Sequence, residues 1–475
     1  MTFNEYNDYD ALGLAELIRQ RQVTPQELLD TAIDRVATHD ATINAVVTQM
    51  YEQARTAIAV GLPDGPFAGV PFMLKDLGAL YAGVRTSNGS RIFADFVPDH
   101  DSTLVERYKA AGLVIMAKTN TPELGISATT EPQLFGPTHN PWRLTHSAGG
   151  SSGGAAAAVA AGYLPMAHAT DGGGSIRIPA ANCGLFGLKP SRGRTPLGPD
   201  TGEGLAGMST AHCVSRSVRD SAALLDATQG PAPGDPYAAP PLSRPLLDEV
   251  GAPPGRLRIA LCKTDYLGNA IHPACLAAVE AAAQLCERLG HDVEEAAPDL
   301  ADLPLNQAWR TIPAANLWLN INARAHALGR APEPGDVEPL TWAWMQEGRT
   351  FSAADYMQTV TTMHLVGRRM GAFFERYDLL LTATLAQPPL QLGQIDATAT
   401  DVGRYVEFLF GEITPLTPLF NQTGGAAMTV PLAWSDDGLP IGIQFGGALG
   451  DEPKLIRLAA QLEQAQPWVE RRPDL

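Results

Sequence analysis

Apolar residues recur at helical spacing near the start of the chain, where Leu12, Leu14, Leu17 and Ile18 predict a short amphipathic helix. A second helix is announced by Thr24-Pro25-Gln26-Glu27, a capping box with proline in the first turn. Leu28, Leu29, Ala32, Ile33 and Val36 supply its apolar stripe. The pattern then changes: Phe67 to Leu74 is an unbroken apolar run of strand length that ends on Lys75. Thr103 to Ala111 reads as a helix, Gly112 as its left-handed cap, and Leu113 to Ala117 as the next strand. Strand, helix, strand predicts parallel α/β packing, in which functional groups gather at strand ends. Ala155 to Ala167, interrupted by Gly162 and Pro165, is too short to span a bilayer and predicts a buried helix.

Beyond a stretch from 230 to 255 that carries eight prolines, the α/β pattern resumes. Leu257 to Leu261 predicts a strand, Pro273 to Leu289 a helix capped by Gly290, and Asp292-Val293 the opening of another strand. From Leu303 to Arg376 the pattern is helical, and Trp309, Trp318, Trp342 and Trp344 among apolar neighbours read as core. Leu379 to Thr382 predicts a late strand. Ala427 to Val430 and Ile441 to Phe445 predict a hairpin around Asp436-Asp437-Gly438, and Pro453 to Gln464 a final helix.

Charge narrows the partners. Lysine and arginine number 34 against 51 acidic residues, a net charge of −17. That excludes an electrostatic nucleic-acid footprint and disfavours anionic membranes. Five widely spaced cysteines form neither a disulfide framework nor a metal motif, and Cys275 and Cys286, eleven apart, share a buried helix face. A reducing cytoplasm is the expected compartment. Met1-Thr2-Phe3-Asn4-Glu5 shows no basic or apolar leader region, so no signal peptide is expected.

The chemistry gathers around two glycine-framed serines. Ser151 lies in Gly149-Gly150-Ser151-Ser152-Gly153-Gly154, and Ser175 follows Asp171-Gly172-Gly173-Gly174. Serine is a weak nucleophile until a base takes its proton. None of the ten histidines sits in a motif. Lys75, carried inward by an apolar run, could serve if burial keeps it neutral; a salt bridge to Asp76 or an exposed position is the competing reading. Ser151 between Lys75 and Ser175 would relay the proton. The glycines before Ser175 could aim several N–H groups at one point, as an oxyanion hole or as an anion nest. Gly149 to Gly153 also fits G-x-S-x-G, but Asn140 to Ser147 is not the apolar strand that a nucleophile elbow needs.

These glycine–serine segments, with Ile176-Arg177-Ile178-Pro179-Ala180, Gly184 to Pro190, Gly69 to Asp76, Lys118 to Glu123, Phe135 to Trp142 and Phe420 to Gly424, resemble the amidase signature family. The resemblance implies an α/β fold, a single α/β/α domain around a large, mixed, twisted sheet of roughly eleven strands. Residues 1–60 would be N-terminal helices, 61–230 the signature core, 231–256 a surface loop, and 257–475 the rest, with a variable pocket region at about 300–410. It implies Ser175 as nucleophile, Ser151 as bridging serine after a cis Gly150–Ser151 peptide, and Lys75 as base. Gly172, Gly173, Gly174 and the Ser175 amide would form the oxyanion hole, Asp171 and Arg177 would brace the loop, and Ser152 would support the relay. Gly150, Asn316 and Trp318 are the implied pocket contacts, and no metal or cofactor is implied.

The sequence departs from the family at three places. Gly172 replaces a larger residue, which would loosen or widen the hole; His168 stands where a small residue is frequent; and Thr382-Ala383-Thr384 lacks a proline. Within the family, the N-terminal half and Val337 to Trp342 resemble the hydrolases of the 6-aminohexanoate cyclic dimer. The expectation is an amidase acting on a small-molecule amide, linear or cyclic, with esterase side activity and a homodimer as the default assembly. The competing functions are a glutaminase-type subunit of a tRNA-dependent amidotransferase and a silent binding protein of the same fold.

Overall fold

The computed structural model describes residues 3–475; Met1 and Thr2, part of the N-terminal stretch read above, lie outside the described residues. Its strands are β1 (Val46–Gln49), β2 (Pro71–Lys75), β3 (Val114–Thr119), β4 (His139–Asn140), β5 (Arg143–Ser147), β6 (Met166–Asp171) and β7 (Phe186–Lys189). They continue as β8 (Thr210–Ser215), β9 (Arg258–Leu261), β10 (Asp292–Glu295), β11 (Leu379–Ala383), β12 (Ala427–Trp434) and β13 (Pro440–Gly446). Eight form a mixed sheet in the order β10-β9-β11-β13-β12-β7-β8-β6, and β1-β3-β2 form a second sheet. The implied eleven strands are therefore divided eight and three. β2 lies alongside β6 without a backbone ladder; the Lys75 amide instead donates to the His168 imidazole.

The strand patterns explain the layering. All residues of β2, β3, β8, β11 and β13 are buried, as expected where helices cover both faces of a sheet. β2 and β3 are parallel around the helix Thr103–Ala110, as the apolar runs predict. The capping box is formed as well: the Glu27 amide donates to Thr24 Oγ1 at 3.2 Å and the Thr24 amide to Glu27 Oε2 at 2.8 Å, opening the helix Pro25–Ile43.

One predicted helix is shorter than its apolar run. Ala155 to Ala167 divides into the end of a helix, Gly153–Ala160, and the start of β6, because Gly162 turns at φ +71° and Pro165 cannot continue a helix. Helices Gln307–Ala327, Pro339–Gly348 and Ala353–Arg376 contribute to a separate apolar cluster containing Trp309, Leu317 and Trp344. All five cysteines are buried free thiols. Among the described residues no helix is long and apolar enough to cross a membrane.

Candidate active site

Three elements deliver the three side chains singled out in the sequence. β2 ends on Lys75, Ser151 stands just before the helix Gly153–Ala160, and Ser175 lies between β6 and the helix Arg177–Cys183. Close packing accounts for two of the glycines. A Cβ on Gly150 would lie 2.7 Å from the Thr129 backbone, and one on Gly154 2.4 Å from the Asn120 amide nitrogen. The Gly150–Ser151 peptide is cis.

Lys75 is fully buried, and its Nζ donates to Ser151 Oγ at 2.6 Å and to Thr170 Oγ1 at 2.9 Å. Among the described residues no carboxylate forms a salt bridge with it. Asp76 turns instead to Ser87 and lies 4.0 Å from Lys118. Burial pulls Lys75 from its ordinary value down to about 7, against the opposing pull of the Asp171 charge. A lysine held there is neutral in a large fraction of molecules near neutral pH and can accept a proton. Ser152 Oγ donates to the Thr170 carbonyl and accepts from the Thr170 amide, both at 3.3 Å.

Ser175 and Ser151 both line a cavity of 790 Å³. No hydrogen bond joins the two hydroxyls in this structure. The loop holding Ser175 is tied down by Asp171, which is buried and accepts from the amides of Gly174 (2.8 Å), Ile176 (3.2 Å) and Arg177 (3.4 Å). Arg177 pairs with both Asp171 oxygens and reaches the Thr417 carbonyl, Gln444 and Asn421. Burial pushes the Asp171 carboxyl up, but the Arg177 charge and hydrogen bonds outweigh it and hold the group at about 2.

The loop geometry corrects the oxyanion assignment. The Gly174 amide is engaged by Asp171 Oδ1, so it is not free for a ligand. The amides of Gly172, Gly173 and Ser175 have no protein acceptor among the described residues and remain as donors. The Gly172 departure does not open the loop: a Cβ there would lie 2.9 Å from Leu205 Cδ1, so Leu205 fills that space.

The cavity has an aromatic side. Trp309, Pro313, Asn316, Leu317, Trp344 and Phe410 line it, all from the region expected to vary. Trp309 stacks on Phe410 at 4.8 Å, and a Cβ on Gly173 would lie 3.0 Å from its ring, so this tryptophan is cavity wall as well as core. Gly150 and Asn316 are placed at the cavity. Trp318 is not: it is half-buried beneath the Arg349 guanidinium, 5.1 Å from its ring, so it is withdrawn as a pocket contact.

Thr170, Thr417, Asn421 and Gln444 escaped the sequence reading as site residues. Only Asn421 carried a signal, as part of Phe420-Asn421-Gln422-Thr423-Gly424. Among the described residues no group of three or more His, Cys, Asp or Glu side chains is placed to hold a metal ion.

The family described as Amidase matches residues 27–456. The chain is similar to a 6-aminohexanoate-cyclic-dimer hydrolase of Paenarthrobacter ureafaciens, with 39% identity over 98% of this chain and 96% of that protein. A solved structure of 6-aminohexanoate cyclic dimer hydrolase superposes with a TM-score of 0.95 at 37% identity, covering 100% of this chain and 99% of the other. A bacterial aryl acylamidase of the amidase signature family gives 0.85 at 28%, covering 97% of this chain and 96% of that one.

Proposed function

Since the chain belongs to the amidase signature family and is an amidohydrolase, we propose that Lys75, Ser151 and Ser175 perform the hydrolysis as base, relay and nucleophile. Ser175 Oγ attacks the amide carbon while its proton passes through Ser151 to neutral Lys75. The amides of Gly172, Gly173 and Ser175 receive the developing oxyanion. The proton returns through Ser151 to the departing nitrogen as the C–N bond breaks. Water then cleaves the acyl-enzyme by the reverse relay. The hydroxyl contact from Ser175 to Ser151 forms as substrate binds, since such bonds commonly tighten only in the substrate complex.

The observation that carries this reading is the 2.6 Å bond from a buried lysine, free of carboxylate partners, to a serine beside the glycine loop. The substrates are small carboxylic amides of the 6-aminohexanoate oligomer type, linear or cyclic, a class supported by the likeness to the cyclic-dimer hydrolases and by an apolar-walled cavity. Five buried thiols fit a reducing cytoplasm. A single domain fits the sheet order, in which β12 and β13 sit between β11 and β7.

A fluorophosphonate probe is expected to label the wild type at Ser175 and to leave Ser175→Ala unlabelled, with amide hydrolysis falling at least 10³-fold in that variant. Equal labelling of both proteins would remove Ser175 as nucleophile.

A further inference from the structure

The cavity lining extends beyond its aromatic wall. Leu77, Leu104, Leu197 and Ala211 give it further apolar surface, and His168 is a polar group within it. The segments that build it are joined: the Ser102 amide donates to the Leu80 carbonyl at 3.0 Å and the Thr103 amide to the Gly198 carbonyl at 2.9 Å. Tyr108, on the helix that begins at Thr103, packs against the His168 ring with centroids 5.8 Å apart.

This imidazole is buried and has hydrogen-bonding capacity that the protein leaves open. His168 is 1% exposed, and its single protein hydrogen bond accepts the Lys75 amide at Nδ1, 3.2 Å away. A neutral imidazole accepting at Nδ1 carries its proton on Nε2. Burial, then the charges of Lys75 and Lys118, pull His168 down to about 3, so this tautomer persists across the working pH range. Its Nε2 has no protein partner among the described residues, and the residue lines the cavity. A buried N–H donor without a partner is costly, and one at a cavity wall points to a ligand that satisfies it.

We propose that His168 marks a second amide-binding point, which receives a further amide group of the substrate while the scissile amide lies at Ser175. The His168 Nε2–H donates to the second carbonyl. His168 lies on the same strand face as Thr170, the partner of Lys75, and both line the cavity that holds Ser175. A substrate with two amides separated by a methylene chain would meet both points, with the leucines and alanine covering the chain. The inference rests on the amide-hydrolase reading and names a feature of its substrate.

The test measures binding in a Ser175→Ala background, so that no turnover is needed. The ligands are N-methyl-6-acetamidohexanamide, with two amides, and N-methylnonanamide, with the same chain length and one. Adding His168→Asn, which keeps an acceptor for the Lys75 amide but removes the Nε2–H, is expected to weaken the two-amide ligand three- to tenfold. The loss for the one-amide ligand should be at least threefold smaller. Equal losses for both ligands, or none for the two-amide ligand, would overturn the subsite. Fluorophosphonate labelling of Ser175 in proteins that keep this serine is read separately. Absent labelling with the ligand difference intact would refute the nucleophile and spare the subsite.

Discussion

Replacing Lys75 with methionine tests whether the buried amine is neutral near pH 7, on which the relay depends. Its value is 10.5 when unperturbed and about 7 in the fold, because burial disfavours the ammonium. Between those values the unfolded chain binds more protons than the folded one, so this residue makes stability rise with pH. The penalty is fully present below about pH 7 and absent above about pH 10.5. At about 1.4 kcal/mol per tenfold change it amounts to about 5 kcal/mol, of which about 3 kcal/mol is relieved between about pH 6 and pH 9. Lys75→Met has no such penalty at any pH. Its loss of bonds to Ser151 and Thr170 is pH-independent, and Lys118 and Lys189 titrate in both proteins. Guanidinium denaturation at both pH values should therefore show wild type gaining about 3 kcal/mol on the variant as pH rises. Parallel behaviour would mean that Lys75 keeps its ordinary basicity and cannot be the base.

The same titration should appear in the kinetics: kcat/KM for a 4-nitroanilide amide should rise about tenfold from about pH 6 to about pH 8 and then level off. A flat or acid-peaked profile in the chemical step would contradict a lysine base. Arg177→Met leaves Asp171 without its buried partner and should lower stability by about 3–5 kcal/mol, read by denaturant midpoint at constant m. A change within about 0.5 kcal/mol would show that Asn421 and the loop amides suffice to hold that charge. Gly154→Ala drives a methyl into the Asn120 backbone and should cost about 1–3 kcal/mol by thermal melting, whereas Gly371→Ala, in an open helix position, should not destabilise the fold.

What the sequence showed and what it hid follow from locality. Lys75 was legible because an apolar run visibly carries it to a strand end, and Ser151 and Ser175 because glycines cluster around them. The fate of three consecutive glycine amides was not legible, since only the direction of the Asp171 carboxylate decides that Gly174 is engaged and Gly173 is not. Thr417, Asn421 and Gln444 reach the loop from 240 or more positions away, and no periodicity reports such a meeting. The tryptophans could have been sorted. Nine residues of helix turn about 180°, so Trp309 and Trp318 face opposite ways, whereas seven residues bring Asn316 back to the Trp309 face. Reading all four tryptophans as core, and naming Trp318 rather than Trp309 as the pocket contact, missed that difference.

The cradle around Arg177 gives chain synthesis a deadline. Two of its anchors, Asn421 and Gln444, are added 244 and 267 positions after Arg177, and Gln444 lies in the middle of the sheet on β13. A nascent chain that has already displayed both serines still lacks the clamps that hold the glycine turn in register. Competence to cut amides is thereby postponed until β13 has been made, and a product truncated before β12 would lack the clamps on the turn that carries Ser175.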